Sequence, residues 1–427
     1  MRPILPSLAP DVKARGFLLG GLLTIHIAVW TVATTLVPAG FPAIQLVAER
    51  FSTFAIVLMS VNLVLSTRAG LIERGLRGLD KLFVTHRTIG LTVAAMVTTH
   101  LLIVPKSVGY VASKPVGYTT AAVLLLAIFI ASAPRFPWRR LVPLNYQTWK
   151  FSHRFMGVLV AMAVTHSLLA HTYVKSSPLL AGYVYGVAAV GLLAWMYREL
   201  LFARMGPFHE FVVEQSHLLG DDTTEVTLTA PTGNLSRTAG QFVFVSFEGG
   251  PSREQHPFTI SSGAGSDPRF SIKSSGDFTK RLLAGVPAGS AARVEGPYGA
   301  FDYRRGGGHQ LWLAGGIGIT PFLAMAEDVD DDTSVLLVWS VRNRQEAIYE
   351  QELSQLSRSK PNFRFRLHPT AEKGHVDIAT LELGTPQLRA CSVLICGPVA
   401  MRQGFVRQLK SLHVPRSQVF FEEFRLR

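Results

Sequence analysis

The sequence has few cysteines and few charged residues for its length. Among 427 residues only Cys391 and Cys396 are cysteines, and 17% of the residues are charged. Two cysteines in a segment that we predict to be cytoplasmic argue against a disulfide framework and against a cysteine metal site. Apolar residues are concentrated before Arg204, whereas the later part resembles an ordinary soluble protein. We therefore expect a membrane part followed by soluble domains.

Several common signatures are also missing. The net charge of +13 comes without a basic stripe or an RNA-binding motif, so we expect no nucleic-acid partner. The acidic run Asp328–Asp332 lacks the glycine and the closing glutamate of an EF-hand, so we reject calcium binding there. The segment Gly315–Pro321 is rich in glycine but does not have G-x-G-x-x-G spacing, so the standard dinucleotide motif is absent.

Six apolar segments approach or exceed the length of about 20 residues that crosses a bilayer. They are Phe17–Val37, Ala43–Leu65, Phe83–Val104, Val116–Ala133, Phe151–Tyr173 and Leu179–Phe202. Lysine and arginine are concentrated in one set of the intervening loops, which predicts a cytoplasmic N-terminus and a cytoplasmic location for everything after Arg204. The first segment is too long for the apolar part of a signal peptide, so we interpret it as a retained helix.

Two of these segments each carry a pair of histidines. His86 and His100 lie on the third segment, 14 residues apart. His153 and His166 lie on the fifth, 13 residues apart. Helical rises of about 21 Å and 19.5 Å place the pairs at two matched depths, which predicts two stacked bis-histidine haems, His86–His153 inside and His100–His166 outside. Thirteen residues return less neatly to the same helix face, so the fifth helix needs a local distortion or differing haem orientations. The alternative is a set of core or proton-relay histidines.

Three further polar residues belong to the predicted membrane part. His171 competes with His166 for the outer haem and is otherwise a candidate residue on the acceptor side. His26 stands alone on the first helix, and we interpret it as structural. Arg50, at the outer end of the second helix, either steers an anionic acceptor or extends its charge to the membrane surface.

From Phe208 the pattern changes to short alternating segments with Gly, Pro and Asp in the turns, which predicts a small antiparallel barrel. In it, the run His256-Pro257-Phe258-Thr259 is placed to present a ring and a hydroxyl to a flat ligand. The candidates for a pyrophosphate site are Lys273, Ser274, Gly276, Asp277 and Thr279. The alternative is that both groups are ordinary strand and turn residues, which would show the same spacing.

A strand, a glycine-rich loop and a helix follow after Tyr303. The residues predicted to approach a phosphate at the helix N-terminus are Gly315, Gly316, Gly318, Thr320 and Pro321. The next strand ends at Arg342 and Arg344, which are placed to meet the 2′-phosphate of NADPH or are solvated loop residues. A last strand ends at Cys396-Gly397-Pro398.

Together these motifs resemble the NADPH oxidase and ferric reductase superfamily over nearly the entire chain. The segments LDK…HR and NYQTWKFSHR, each with its second histidine, resemble the third and fifth helices of that family. HPFTISS resembles its flavin motif, while GPYGAF, AGGIGITPFLA and CGP resemble its nicotinamide-nucleotide segments. The terminal FEEFRLR resembles reductases whose last aromatic residue covers the flavin. The absence of regulatory extensions makes the compact bacterial members the nearest match.

The resemblance implies a multi-domain protein. Residues 1–205 would form a six-helix transmembrane haem domain, residues 206–303 a ferredoxin-reductase-like FAD-binding β-barrel, and residues 304–427 an α/β Rossmann-like NAD(P)H domain. It implies two b-type haems on the four histidines, and Lys273 stands where relatives often have arginine. It also assigns catalytic roles to Cys396, near the nicotinamide, and to Phe424, over the flavin.

The implied function is a transmembrane NAD(P)H oxidase in a bacterial plasma membrane. Electrons would pass from cytosolic NADPH through FAD and two haems to oxygen on the opposite side, producing superoxide. One alternative is reduction of ferric iron or another metal chelate by the same path. Others are an electron-input subunit for a partner protein and a haem-free channel or transporter with an attached regulatory domain.

Overall fold

A computed structural model describes residues 10–37, 40–105, 112–132, 146–231, 235–248, 254–381 and 385–422. The chain divides into two units. A helical unit comprises residues 13–76 and 81–206, and a unit built on two sheets contains the chain from residue 207 onward.

The helical unit is built from long apolar helices joined by short ones. Its helices are α1 (Pro10–Leu36), α2 (Ala43–Ser66), α3 (Gly70–Gly75), α4 (Leu79–Ile103), α5 (Ser113–Ser132), α6 (Tyr146–His153), α7 (Met156–Leu169), α8 (Tyr173–Ser176), α9 (Pro178–Met196) and α10 (Phe202–Met205). A π-helical turn joins α9 to α10. Large apolar side chains such as Ile25, Ile27 and Leu36 are exposed, as expected for surfaces that face lipid.

Four helical segments of the described chain are long and apolar enough to cross a membrane. They are Gly16–Leu36, Ala43–Ser66, Ser113–Ser132 and Pro178–Met205. The predicted third span falls in α4, whose apolar character is lowered by Arg87, two histidines and several threonines. The predicted fifth span is divided between α6 and α7. The structure therefore shows four candidate spans, consistent with membrane association, and does not establish the predicted bundle of six.

The first lobe of the sheet-containing unit is an antiparallel sheet of six strands, ordered β4-β3-β6-β1-β2-β5. Its elements are β1 (Phe208–Leu219), β2 (Thr223–Thr229), β3 (Phe242–Phe247), β4 (His256–Thr259), β5 (Arg269–Lys273), α11 (Asp277–Arg281) and β6 (Ala291–Tyr298). Its core contains Phe211, Val226, Val245, Phe270 and Val294, all almost fully buried.

The prediction of a closed barrel is wrong for this lobe. The edge strands β4 and β5 are joined only by an isolated bridge between Ile260 and Phe270. Residues 261–268 then leave the sheet, and two backbone amides of this segment bond to the second lobe. Gly263 donates to Glu327 Oε2 at 2.7 Å, and Ala264 donates to Asp328 Oδ2 at 3.0 Å.

The second lobe has a five-stranded parallel sheet, ordered β11-β10-β7-β8-β9, as the alternation of apolar strands and helices predicts. Its elements are β7 (His309–Gly315), α12 (Thr320–Asp328), β8 (Ser334–Val341), α13 (Glu350–Ser359), β9 (Phe363–Pro369), α14 (Thr370–Lys373), α15 (Thr385–Ala390), β10 (Ser392–Cys396), α16 (Val399–Ser411) and β11 (Val419–Phe421). The sheet is buried on both faces by Trp312, Phe322, Leu313 and Ile395 among others. Loops at the carboxyl ends of β7, β8 and β10 are therefore the expected place for a nucleotide.

Candidate functional site

The predicted flavin run lies on β4, next to α11. The ring of His256 stacks on that of Phe278, with centroids 3.8 Å apart and planes inclined by 17°. The ring of Phe258 lies 6.5 Å from the same phenylalanine. Thr259 is 6% exposed, and its hydroxyl has no hydrogen-bond partner within the described ranges. A buried hydroxyl of this kind is rare without a ligand or water, so this position fits a polar flavin edge.

The predicted pyrophosphate residues lie together, but several already have protein partners. Lys273 Nζ lies 3.1 Å from Asp222 Oδ2 and 4.0 Å from Glu346 Oε2. Ser274 donates its amide to the carbonyl of Asp222 at 2.7 Å. Thr279 Oγ1 accepts from the amide of Gly276 at 2.9 Å, at the start of α11, whose first residue is Asp277. A phosphate bound here would compete with Asp222 for the lysine.

Two loops of the second lobe meet at the carboxyl ends of β7 and β10, which are adjacent parallel strands. A Cβ atom added to Gly318 would overlap the carbonyl of Cys396, and one added to Gly315 would overlap the sulfur of Met401. Gly397 approaches the Gly315 backbone in the same way. The glycines therefore allow the two predicted segments to pack together, with Pro398 at the start of α16.

The loop after β7 turns tightly into α12. Gly316 has a φ of +53°, a conformation that favours glycine, and its carbonyl accepts from Trp339 Nε1 at 2.9 Å. Helix α12 begins at Thr320 with Pro321 in its first turn, as predicted. The amide of Thr320 bonds to the carbonyl of Ile317. The N-terminus of α12 follows β7 in the chain, at the carboxyl end of that strand, where a helix N-terminus would stabilise a phosphate.

The two arginines after β8 differ in their contacts. Arg344 Nε lies 3.2 Å from Glu350 Oε2, so its charge is engaged by a neighbouring carboxylate. Arg342 is exposed and forms no ion pair with any residue that the structure describes. Of the two predicted ligands for a 2′-phosphate, Arg342 is the available one.

Of the two predicted catalytic residues, Cys396 lies in the described part of the chain and Phe424 does not. Cys396 is fully buried, and burial raises the pKa of its thiol well above the ordinary value, with a further contribution from the charge of Glu422. The thiol is therefore protonated at neutral pH and closed to solvent, and its catalytic role stays a prediction. Phe424 lies outside the described residues.

In the helical unit, His86 on α4 and His153 at the end of α6 lie side by side. Their ring centroids are 5.9 Å apart and their planes are inclined by 69°. The ring of His153 also stacks on Trp149, at 5.3 Å and 16°. Since bonds from imidazole nitrogen to a metal are about 2 Å long, two rings that share one metal have centroids about 6 Å apart. The pair has the separation that a shared metal ion requires.

The outer pair is oriented by backbone carbonyls. His100 Nδ1 lies 3.0 Å from the carbonyl of Ala48, and His166 Nδ1 lies 2.8 Å from the carbonyl of Ser113. A carbonyl only accepts, so each Nδ1 carries the proton and each Nε2 keeps its lone pair for a metal.

This donor set fits haem better than a bare ion. No cluster of three or more histidine, cysteine or acidic side chains suited to a metal occurs in the described segments. Two imidazoles cannot complete a four-coordinate protein site, whereas they do complete an iron that already has four porphyrin nitrogens. Two pairs of imidazoles, one of them fixed in the required tautomer, are therefore compatible with the two predicted haems.

The expected distortion of the fifth helix is present between His153 and Met156. The amides of Arg154 and Phe155 bond to carbonyls three residues earlier, which tightens the turn. In an ideal α-helix, the 13 residues from His153 to His166 turn through less than four full turns. Each residue in the tightened segment turns through about 120° instead of 100°, which brings His166 closer to the face of His153. The carbonyl of Arg154 is satisfied by Trp195 Nε1 at 2.7 Å.

The remaining membrane candidates have mainly structural contacts. His171 is exposed with its ring 4.9 Å from that of Phe41, whereas His166 has the oriented ring. His26 is 4% exposed and its Nε2 lies 3.1 Å from the carbonyl of Arg50, in agreement with a structural role. The guanidinium of Arg50 lies 5.4 Å from the ring centroid of Trp30.

The contacts that join the two lobes were not predicted from the sequence. Arg269, Ser271 and Lys273 alternate with Phe270 and Ile272 along β5, so the polar residues share one face. This face meets residues that include Tyr349, Glu346 and Glu352. The alternation was visible in RFSIK, but nothing local indicated that the polar face would meet another lobe.

Comparison with known proteins agrees with this architecture. Residues 209–302 match the family model of an FAD-binding domain. Residues 312–407 match that of the oxidoreductase NAD-binding domain.

The sheet-containing unit is an FAD- and NAD-binding oxidoreductase of the ferredoxin-reductase-like type. The enzyme is 28% identical over 207 residues to the glycine betaine monooxygenase reductase subunit of Chromohalobacter salexigens. This match covers 43% of this chain and 55% of the relative. It is 29% identical over 155 residues to flavohemoprotein A of Dictyostelium discoideum. That match covers 35% of this chain and 39% of the relative. The chain spans about half the length of the first curated relatives it matches.

Among solved structures, the oxidoreductase is similar to the flavohem-like FAD/NAD-binding domain of nitric oxide dioxygenase from Vibrio cholerae. The identity is 23%, the TM-score is 0.44, and the match covers 50% of this chain and 97% of that one.

Proposed function

We propose that this protein is a transmembrane flavocytochrome that oxidises NAD(P)H on the cytoplasmic side and delivers electrons to oxygen across the membrane. The observation that carries the proposal is the arrangement of four histidines as two pairs in a helical unit that precedes an FAD- and NAD-binding oxidoreductase. Rings 5.9 Å apart in the His86–His153 pair, and carbonyl-oriented rings in the His100–His166 pair, support axial ligation of two haems.

The reductase lobes bind and orient the donor in this proposal. The glycine loop after β7 and the first turn of α12 hold the phosphates of NAD(P)H, while Arg342 offers a cation to a 2′-phosphate. Residues of β4, chiefly Thr259, hold the flavin, and the packing of Gly318 against Cys396 brings the nicotinamide loops together. When bound, FAD separates the two electrons of a hydride into single electrons, and two b-type haems carry them across the bilayer.

The histidines also determine how oxygen would be reduced. His86 and His153 would hold one haem, and His100 and His166 the other, leaving neither haem an open site for oxygen. The bound haems would therefore supply single-electron transfer to oxygen, with superoxide as the product. The concentration of lysine and arginine in one set of loops supports a cytoplasmic location for the reductase lobes and release of the product on the opposite side.

Spectroscopy of the purified full-length chain tests the proposal. Anaerobic addition of NADPH should bleach the flavin and reduce two haems, and admission of oxygen should reoxidise them with superoxide dismutase-sensitive reduction of cytochrome c. Purified protein without porphyrin iron would refute the haem part while leaving the oxidoreductase intact.

A second candidate function is transfer of electrons to an acceptor other than oxygen. The match to a protein named as a monooxygenase reductase subunit favours an electron-input role for a partner protein. Reduction of a ferric chelate is the other acceptor we consider. Steady NADPH consumption under oxygen by the isolated chain would argue against the partner, and faster turnover with a ferric chelate than with oxygen would favour metal reduction.

A further inference from the structure

Strand β5 has two faces that serve different lobes. Phe270 and Ile272 are 0% and 2% exposed in the core of the flavin lobe. Arg269, Ser271 and Lys273 lie on the opposite face and contact the nucleotide lobe. A single strand therefore contributes both to the packing of one lobe and to its attachment to the other.

Arg269 is bound by carboxylates of the nucleotide lobe. Its guanidinium forms a two-point contact with Glu352 of α13, at 3.0 and 2.7 Å. Glu327, at the end of α12, lies 3.5 Å away. Burial alone lowers the pKa of Arg269, but the contacts with Glu352 outweigh burial and raise it. The two-point geometry fixes orientation as well as distance.

Tyr349 provides a second contact, deeper in the interface. Its hydroxyl donates to Glu225 Oε2 at 2.6 Å and lies 2.6 Å from Ser271 Oγ. Glu225 and Ser271 are directly opposite each other on β2 and β5. Burial and the nearby charge of Glu225 raise the pKa of Tyr349, so this hydroxyl remains a donor throughout the physiological range.

The same face extends to both predicted cofactor sites. Its last residue, Lys273, belongs to the predicted flavin phosphate site and lies 4.0 Å from Glu346. Glu346 lies on the short segment between Arg342, the available cation for NADPH, and Tyr349. The polar face of β5 thus holds the segment that binds one cofactor against the strand that binds the other.

We propose that Arg269 and Tyr349 are positioning residues that set the placement of the nicotinamide relative to the flavin. This inference rests on the NAD(P)H-to-FAD part of the proposed function and does not depend on haem. In that step the nicotinamide loses a hydride, with both electrons of its C–H bond, and the flavin gains it. Because hydride transfer requires the reacting atoms to be closely aligned, a small relative shift of the lobes lowers its rate while leaving each lobe folded.

The test is anaerobic stopped-flow reduction of the flavin by NADPH in the full-length, FAD-loaded protein. Tyr349→Phe and Arg269→Ala should each lower the rate constant of flavin bleaching by about tenfold or more at saturating NADPH. Their FAD content and their apparent KM for NADPH should stay close to those of the wild type. Arg269→Lys should recover part of the rate, because lysine keeps the charge but not the two-point contact.

Matched controls separate positioning from general stability. Tyr303→Phe removes a buried hydroxyl that donates to the carbonyl of Asp328 at 2.8 Å, a contact that does not involve β5. Arg358→Ala removes an exposed charge from the same helix as Glu352. Both controls should keep the wild-type bleaching rate, even if Tyr303→Phe lowers the unfolding temperature.

The outcomes are distinguishable. Wild-type bleaching rates in FAD-loaded Tyr349→Phe and Arg269→Ala would overturn the inference and leave the proposed function standing. A loss of rate that follows FAD content alone would also overturn it. A wild-type protein whose flavin is not reduced by NADPH or NADH would overturn the proposed function and this inference together.

Discussion

Gly117 of α5 lies directly against the imidazole of His166. A Cβ atom at position 117 would come within 2.5 Å of the ring carbon Cε1 and 2.6 Å of Nδ1. Ser113, one helical turn earlier, accepts the hydrogen bond of the same ring. One face of α5 therefore fixes both the position and the tautomer of the proposed outer haem ligand.

Replacing Gly117 should disturb the proposed outer haem selectively. The larger side chain of Gly117→Val forces the His166 ring away, so we expect the purified variant to lose about half of its haem while the flavin is still reduced by NADPH. Gly182→Val is the control, since Gly182 has open space around its Cα. Full haem content in Gly117→Val would contradict the ligand role of His166.

The choice between His166 and His171 as outer ligand is testable in the same way. We expect His166→Ala to remove one haem band from the reduced-minus-oxidised spectrum and His171→Ala to keep both. The reason is that His166 has the carbonyl-oriented ring, whereas His171 is exposed. The opposite result would assign the outer position to His171.

The buried hydroxyl of Thr259 should contribute to FAD affinity. If it bonds the flavin, Thr259→Val leaves a polar atom of the ligand unsatisfied, and FAD binding should weaken by roughly 1–3 kcal/mol, about 5- to 150-fold in Kd. Unfolding of the FAD-free protein should change little, because the hydroxyl has no partner among the described residues. Fluorescence titration with FAD measures the effect.

Thr224→Val is the matched control for this experiment. Its hydroxyl is also buried but donates to the carbonyl of Leu282 at 3.0 Å. We expect this variant to lose stability and keep its FAD affinity, the reverse of Thr259→Val. Equal FAD affinity in both variants would remove Thr259 from the flavin site.

Arg342 should discriminate between NADPH and NADH. Arg342→Ala removes a cation that has no ion pair among the described residues. KM for NADPH should therefore rise by about tenfold or more, as for a lost charge-assisted bond of roughly 1.5–3 kcal/mol, with KM for NADH unchanged. Arg344→Ala should have a smaller effect, because Glu350 already engages that charge. An equal rise for both nucleotides in Arg342→Ala would indicate a general electrostatic effect.

The cysteine thiols should be protected in the folded state. Burial raises the pKa of both Cys391 and Cys396, so neither should react with a thiol reagent at pH 8 until the protein unfolds. A raised pKa means that the associated stability is present below the ordinary value of 9.0 and is lost as the pH rises through the folded-state value. Cys396→Ala should therefore lessen the loss of stability above pH 9, as measured by chemical unfolding. Cys391→Ala should lessen that loss by a smaller amount, because the pKa of Cys391 is raised less than that of Cys396.

The order of elements could be predicted because periodicity is local. The change from apolar helices to alternating strands, and then to a parallel sheet with a glycine loop, is visible in short windows of sequence. Features that depend on distant partners were not accessible in this way. The sheet of the first lobe stays open beside a segment in which Gly263 and Ala264 bind acidic residues of another lobe, about sixty positions later.

In the candidate site, too, local sequence patterns could be predicted, whereas features that depend on distant residues could not. The histidine pairs followed from spacing, and helix geometry required either a local distortion of the fifth helix or differing haem orientations. The place of that distortion depends on Trp195, whose indole bonds the freed carbonyl of Arg154, and no proline marks it. The engagement of Arg344 by Glu350 likewise depends on the local turn, so sequence alone left the two arginines equivalent.

The two-faced character of β5 restricts how this region can change. Because side chains alternate along a strand, a one-residue shift of the whole strand would turn Arg269 and Lys273 inward and present Phe270 and Ile272 to the neighbouring lobe. Both lobes would be damaged by the same event. Insertions and deletions should therefore be excluded from this strand even where the flanking turns vary in length.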